Sequence, residues 1–339
     1  MNGVFEIAAV DSGDAYQINA QLRDFPGVRI KRVPQRINLV GGSMAHVLGH
    51  LGLPTELDLE ERPDLDPNTR VGKLGVERIY DEWLQGTPGE LAYRVQRAQI
   101  TEQRPEVSPV PGNSVHLTLD LPLQEVVERA LAEGIELSNE WKTEQRRQGR
   151  EGAQNVTERG AVVVLDVRTG AISAMSSYPS FDPGVFVGGL DAGTFSALNE
   201  SGALRNLAVS GLYPPASTFK AVTYMTILEE DVPLPASVEG VDAASRVVNC
   251  DGRLELAGLS DGSPQVFTDW YYPNIKGWLD LGGAFEQSCN IYFWSAALGM
   301  YQAWDETPRE TALQDMARDL GYGSQTGIDL TGDAAGIVP

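Results

Sequence analysis

The one Ser-x-x-Lys in the sequence is Ser217-Thr-Phe-Lys220. Residues three apart on a helix are neighbours, so this spacing puts a lysine amine beside a serine hydroxyl. The pairing suits nucleophilic catalysis in which lysine takes the hydroxyl proton. Pro214 and Pro215 favour a helix start just before Ser217. In that first turn, unpaired N–H groups and the positive dipole end would stabilise negative charge on the nucleophile and on an oxyanion. Burial of the surrounding helix would disfavour the protonated amine and lower Lys220 toward the range of a general base. Further along, Ser288-Cys289-Asn290 opens a second apolar segment. This Ser-x-Asn either projects a hydroxyl and an amide into the same cleft or is a polar helix start. The three histidines, His46, His50 and His116, all precede this region, so its chemistry must run without imidazole unless the fold brings one across.

Several elements must position these groups. Up to about Pro111, Gly and Pro break the chain into short runs such as Val28 to Val33, with one compact apolar stretch from Met44 to Leu53. This predicts an irregular, mostly β module with small helices. Ser114 to Leu119 alternates polar and apolar and predicts a strand, and Leu123, Val126, Val127, Ala130 and Leu131 repeat with helical spacing. That helix should dissolve into an exposed loop over Lys142 to Glu158. Gly160 to Leu165, a turn at Thr169-Gly170 and Ala171 to Ser177 predict a β-hairpin that opens a second domain. Helices follow at Ser217 to Glu229, with apolar residues on nearly every side, and at Phe285 to Met300. A third runs from Pro308 to Leu320, with a capping box in Thr307 and Glu310 and Gly321 as its stop.

Composition bounds the possibilities. The 339 residues are 42% hydrophobic and 22% charged, as in a globular protein with a sizeable core, and their length fits two domains. A net charge of −21 repels phosphate backbones and anionic lipid, so nucleic acid is not an expected partner. No apolar run is long enough to cross a membrane and the N-terminal stretch does not read as a signal peptide. Cys250 and Cys289 are the only cysteines, too few for a disulfide framework or a cysteine-based zinc cluster. Cys289 reads as a small hydrophobe inside its helix; a disulfide to Cys250 is the alternative, which spacing does not support.

The segments Gly160-Ala-Val-Val-Val-Leu-Asp-Val-Arg-Thr-Gly170, Tyr213-Pro-Pro-Ala-Ser-Thr-Phe-Lys220 and Ser288-Cys-Asn290-Ile-Tyr-Phe293 resemble those of the class B penicillin-binding proteins. Upstream, Pro26-Gly27-Val28, Ala45 to Gly52, Val71 to Glu77, Tyr80-Asp81, Leu84 to Gly89 and Leu117 to Gln124 resemble the pedestal of the elongation type, the penicillin-binding protein 2 group. The resemblance covers almost the whole chain and implies an α+β protein. A β-rich extended pedestal, residues 1–158, would precede the N-terminal part of a serine β-lactamase-like transpeptidase domain, residues 159–339, with an antiparallel sheet and helices on both faces. The implied activity is peptidoglycan cross-linking by a serine-type D-Ala-D-Ala transpeptidase in cell-wall elongation. By family mechanism Ser217 attacks the carbonyl of the penultimate D-alanine of a stem pentapeptide, Lys220 is the base, and Ser288 relays a proton. Asn290 binds the substrate amide, and the Ser217 N–H is half of the oxyanion hole. β-Lactams would acylate Ser217. The implied partners are the stem pentapeptide and, through the pedestal, a membrane glycan polymerase; the implied location is the extracytoplasmic face of the cell membrane.

The sequence departs from the family pattern in places. It contains no Lys-Thr-Gly, Lys-Ser-Gly or His-Thr-Gly, and Arg168-Thr169-Gly170 precedes the nucleophile and reads as a hairpin turn. The chain is therefore read as an internal fragment, with neither the membrane anchor nor the third motif. Ala216 stands where the family favours Gly, Leu207 where it favours Arg and Asp333 where it favours Glu. Some relatives hold a metal through Asp, His and Cys; here that region has Cys250, Asp251 and Asp269 but no histidine, and neither metal nor cofactor is expected. His46 and His50 read as structural. Trp270, Tyr271 and Tyr272, with Trp278 nearby, either line a peptide or glycan groove or form a packed loop. Two other functions compete: a serine β-lactamase or penicillin sensor, which the long region before Gly160 disfavours, and a non-acylating scaffold that binds a polymerase.

Overall fold

A computed structural model describes residues 14, 17, 18, 37–87, 93–96, 99–103, 108, 110–149, 156–187, 189–256 and 265–339, with the strands at 93–96 and 99–103 described as backbone. Val28 to Val33 and Pro26-Gly27-Val28 lie outside these residues. The chain separates into two compact units, one running to Gly211 and including Asp329–Asp333, the other Leu212–Ile328 with Ala334–Pro339. Helix and sheet are mixed throughout, and every strand pairing among the described residues is antiparallel.

In the first unit, α1 (Ala45–Leu48), α2 (Glu56–Glu61), α3 (Gly75–Ile79) and α4 (Asp81–Leu84) surround a two-residue ladder of β1 (Leu51–Gly52) and β2 (Val71–Gly72). Asp58, buried beneath this group, accepts from Lys73 and Arg78 and ties α2 to α3. A hairpin of β3 (Tyr93–Gln96) and β4 (Gln99–Gln103) precedes the long helix α5 (Leu121–Arg147). Asp120 caps α5 by accepting from the Leu123 N–H at 2.9 Å. The helix lies on the hairpin of β5 (Gly160–Leu165) and β6 (Ile172–Tyr178), and Gln124 joins the two. Its buried amide donates to Met175 O at 2.7 Å and accepts from Met175 N at 2.8 Å, as a neighbouring strand would. The hairpin turn is the one expected: Gly170, at φ 76°, donates to Asp166 O, and Arg168 N–H to Asp166 Oδ1. Helices α6 (Ala192–Ser201) and α7 (Leu207–Ser210) complete the unit.

Two expectations fail here. Ser114 to Leu119 forms no ladder: one side-chain bond, from Thr118 Oγ1 to Ile172 O, and one backbone bond, from the Asp120 N–H to Ser173 O, stand in place of regular pairing. Helix α5 does not end near Lys142 but continues to Arg147. Asn139 exchanges two hydrogen bonds with the Thr157 backbone and Lys142 donates to Thr157 Oγ1 at 2.6 Å. The polar face thereby gains partners that its composition does not reveal, and Arg146 and Arg147 favour the C-terminal dipole end.

The second unit is built around α8 (Lys220–Glu229), three-stranded β7 (Val241–Asp242), β8 (Val247–Cys250) and β11 (Gly277–Leu279), and the hairpin of β9 (Arg253–Leu256) and β10 (Gln265–Thr268). Helices α9 (Leu281–Glu286), α10 (Asn290–Trp304) and α11 (Ala312–Asp319) follow. Ile227, Val248, Ile291, Tyr292 and Ala296 form the centre of the core. Gly299 lets α10 approach the chain at Pro233: a Cβ there would lie 1.9 Å from Pro233 O.

The Ser-x-x-Lys segment starts as a single 3₁₀ turn, Ala216–Phe219, before α8, and α8 is less enclosed than its apolar periphery predicts because Met225 and Leu228 are exposed. The helix expected from Phe285 is two helices, broken at Gln287–Cys289. The capping box at Thr307 does not form: the Thr307 hydroxyl turns back to donate to Trp304 O at 2.6 Å, and α11 starts only at Ala312. Its stop at Gly321, φ 90°, is as expected.

Candidate active site

Pro214 and Pro215 lead into the 3₁₀ turn that holds Ser217, whose side chain is exposed. Ala216 sits at φ 48°, a left-handed conformation that costs an alanine roughly 1–2 kcal/mol and a glycine nothing comparable. Lys220, at the start of α8, is 8% exposed. Its ammonium points at the junction between α9 and α10, donating to Ser288 Oγ and Ser288 O, each at 3.0 Å, and to Asn290 Oδ1. The Phe293 ring centroid lies 5.4 Å away. The fold thus joins Lys220, Ser288 and Asn290 directly, while the Ser217 hydroxyl makes no hydrogen bond among the described residues.

The break between α9 and α10 makes this possible. Ser288 is left-handed at φ 52°, which turns its hydroxyl and carbonyl together toward Lys220. Cys289 then stands at the N-cap of α10, and contrary to the sequence reading it is bonded to Cys250 of β8, with the Cα atoms 6.4 Å apart. Both cysteines are fully buried. Spacing along the chain conceals the pairing because β8 and α10 meet only through the core.

Burial holds the Lys220 ammonium below the usual lysine value; the Asp269 carboxylate pulls it back up and Lys276 pushes it down. A lowered amine is easier to use as a base near neutral pH. Asp269, 3% exposed, accepts from the Asn290 N–H at 2.6 Å and from Asn290 Nδ2 at 2.8 Å. Sequence reading noted Asp269 only as a metal candidate and missed this contact. Of the aromatic cluster, Tyr271 packs into the core, whereas Trp270 is 70% exposed and its Nε1 donates to Ser288 O at 3.4 Å. Lys276 lies over both rings.

His46 and His50 are structural: His46 Nε2 is 2.7 Å from Ala203 O, and His50 stacks on Phe186 with centroids 3.5 Å apart. Among the described residues no group of three or more His, Cys, Asp and Glu side chains is arranged to hold a metal ion. No helix among them is long and apolar enough to cross a membrane.

Known proteins are similar to this chain in sequence and fold. The profile of the penicillin-binding protein dimerisation domain matches residues 4–117, and that of the penicillin binding protein transpeptidase domain matches residues 160–238 and 243–339. The peptidoglycan D,D-transpeptidase MrdA of Escherichia coli K12 is 30% identical over 93% of this chain and 44% of its own length. The MrdA of Acinetobacter baumannii is 32% identical over 93% of this chain and 41% of its own. The chain therefore spans less than half the length of these relatives. A solved chain from a peptidoglycan synthase complex superposes with a TM-score of 0.71 and 28% identity, covering 100% of this chain and 55% of its own. With two domains matched in one order and the Ser-x-x-Lys inside the second, this chain belongs to the penicillin-binding proteins.

Proposed function

We propose that this chain is part of a peptidoglycan D,D-transpeptidase of cell-wall elongation in which Ser217 is the nucleophile. Lys220 in its neutral form takes the Ser217 hydroxyl proton as Oγ bonds to the carbonyl carbon of the penultimate D-alanine. The tetrahedral oxyanion collapses, the C–N bond breaks, and terminal D-alanine leaves with a proton relayed through Ser288. An amine from a neighbouring stem then attacks the acyl-serine and restores the hydroxyl. Asn290 binds the substrate amide. β-Lactams enter by the same attack and open their ring on Ser217.

The observation that carries this reading is the contact of one buried lysine with both Ser288 Oγ and Asn290 Oδ1, in a chain whose Ser-x-x-Lys begins the same helix. Neutralising the ammonium removes one of its three donors and leaves a lone pair for the Ser217 proton, while two N–H groups still hold the Ser288–Asn290 side.

The division into a pedestal, residues 1–158, and a transpeptidase part from residue 159 belongs to the same proposal, as does attachment at the extracytoplasmic face of a membrane. The buried disulfide supports an oxidising compartment. The similarity to a chain of a peptidoglycan synthase complex supports a glycan-polymerising partner bound through the pedestal.

Intact-mass spectrometry after incubation with benzylpenicillin, with circular dichroism to establish folding, tests the reading. A gain of one penicillin mapped to the peptide containing Ser217, and lost in Ser217→Ala, is expected. No gain in a cooperatively folded sample would favour the non-acylating scaffold.

A further inference from the structure

Asn290 stands between two groups of opposite demand. A carboxylate only accepts and an ammonium only donates, so the amide must present Nδ2 to Asp269 and Oδ1 to Lys220. A flipped amide would set oxygen against carboxylate and NH₂ against ammonium. Asp269 also accepts from the Asn290 backbone N–H, the first of α10, at 2.6 Å. The N-cap residue itself, Cys289, makes no side-chain cap. Asp269 thus caps this helix from 21 residues upstream. It is itself fixed: it lies just past the end of β10, its N–H donates to Gly252 O at 2.8 Å, and its carboxylate accepts from the Trp270 N–H at 2.7 Å.

We propose that Asp269 is a positioning residue for acylation of Ser217, acting through Asn290 to aim its amide oxygen at Lys220 and to hold the Ser288–Asn290 pair in register. The proposal rests on the transpeptidase reading for its kinetic consequence but not for its geometry. Lys220 is faced by Asp269 and Lys276 from the segment before β11, by Ser288 and Asn290 from the junction of α9 and α10, and by the Phe293 ring from α10. Among the described residues, Asp269 is the carboxylate whose charge acts on it. Replacing Asp269 with asparagine keeps the size and one acceptor but removes that charge and the demand that orients Asn290.

The test is benzylpenicillin acylation of the full chain against pH, for wild type, Asp269→Asn, Asn290→Ala and the double variant. In Asp269→Asn the acylation rate should fall roughly 10- to 100-fold, as expected when a reacting geometry is loosened. The acidic limb of its pH profile should move to lower pH, because Lys220 loses a neighbouring negative charge. On the Asn290→Ala background the same change should cost little further rate, since its route is already gone. Wild-type rate and profile in Asp269→Asn, or full additivity in the double variant, would overturn the proposal. Should Asp269→Asn not fold, Asp269→Glu replaces it: there a slower rate with an unmoved acidic limb is expected, and a wild-type rate overturns. If the wild-type chain takes up no penicillin, the transpeptidase reading fails, and Asp269 is judged by the ¹³Cε titration of Lys220. That titration must shift to lower pH in Asp269→Asn, and an unshifted one overturns the positioning role.

Discussion

Lys220 Nζ lies 3.0 Å from Ser288 Oγ across 68 residues of sequence, so the lysine of one motif and the hydroxyl of the other form one hydrogen-bonded unit. Its pH dependence has a definite sign. With Lys220 as the proposed base, which works neutral, acylation by benzylpenicillin should rise with pH and level off once Lys220 loses its proton. Because burial lowers that proton's affinity, the plateau should begin below the pH at which an ordinary lysine titrates. Lys220→Arg keeps the positive charge but cannot deprotonate and should lose roughly 10²- to 10⁴-fold in rate, with no recovery at high pH. Stopped-flow acylation across pH checks both; a flat profile in wild type would remove Lys220 as the base.

Ala216 precedes Ser217 in a left-handed conformation, at φ 48°. Glycine there relieves roughly 1–2 kcal/mol of strain and gives back about 0.4–1 kcal/mol through its freer unfolded chain. Ala216→Gly should therefore stabilise the protein by about 0.5–1 kcal/mol, seen as a higher urea midpoint with an unchanged slope. A lower midpoint would mean that residue 216 is not left-handed.

Much of this site is legible in the sequence because its signals are local. Ser217 and Lys220 follow one another on a single 3₁₀ turn and the start of α8, and the hairpin at Asp166–Gly170 needs only its turn residues. What is hidden depends on elements that meet in three dimensions. Asp269 and Asn290 are linked by the path from β10 to α10, and Cys250 and Cys289 by a core contact between β8 and α10. The break at Ser288 is only half marked: Glu286, Gln287, Ser288 and Asn290 interrupt the apolar residues, but polar composition does not specify a left-handed serine. Periodicity therefore predicts one helix where the chain needs two in order to present the serine.

His50 supplies a pH dependence of stability away from the site. Burial pushes its imidazole down to about 4, with Lys73 adding to the shift, and its Nδ1 is buried with no hydrogen-bond partner among the described residues. The unfolded chain binds a proton near pH 6.5, the folded one only near pH 4. Stability from this group is therefore full above about 6.5 and lost as pH falls toward 4. At about 1.4 kcal/mol per unit the effect is of order 3 kcal/mol at most, less for partial solvent access. Thermal melts at pH 7 and pH 4.5 should show a smaller difference in His50→Phe than in wild type. An equal difference would place the acid sensitivity in other groups.

The disulfide from Cys250 to Cys289 closes a separation of 39 residues and ends inside the Ser-x-Asn motif. Constraining a loop of that length in the unfolded chain is worth about 4 kcal/mol on the chain-entropy account. The pairing also fixes the residue between Ser288 and Asn290 to β8, so its loss should weaken the site as well as the fold. Alkylation of the denatured, unreduced protein should find no free thiol, and after reduction two. Cys250→Ala with Cys289→Ala should lower the urea midpoint by an amount equivalent to about 4 kcal/mol and slow benzylpenicillin acylation under conditions where the variant is still folded. Asp269 still grips Asn290 in that variant, so acylation should be slowed rather than abolished. Unchanged acylation in the folded double variant would assign the disulfide to stability alone and leave Asp269 and the core to hold the junction of α9 and α10.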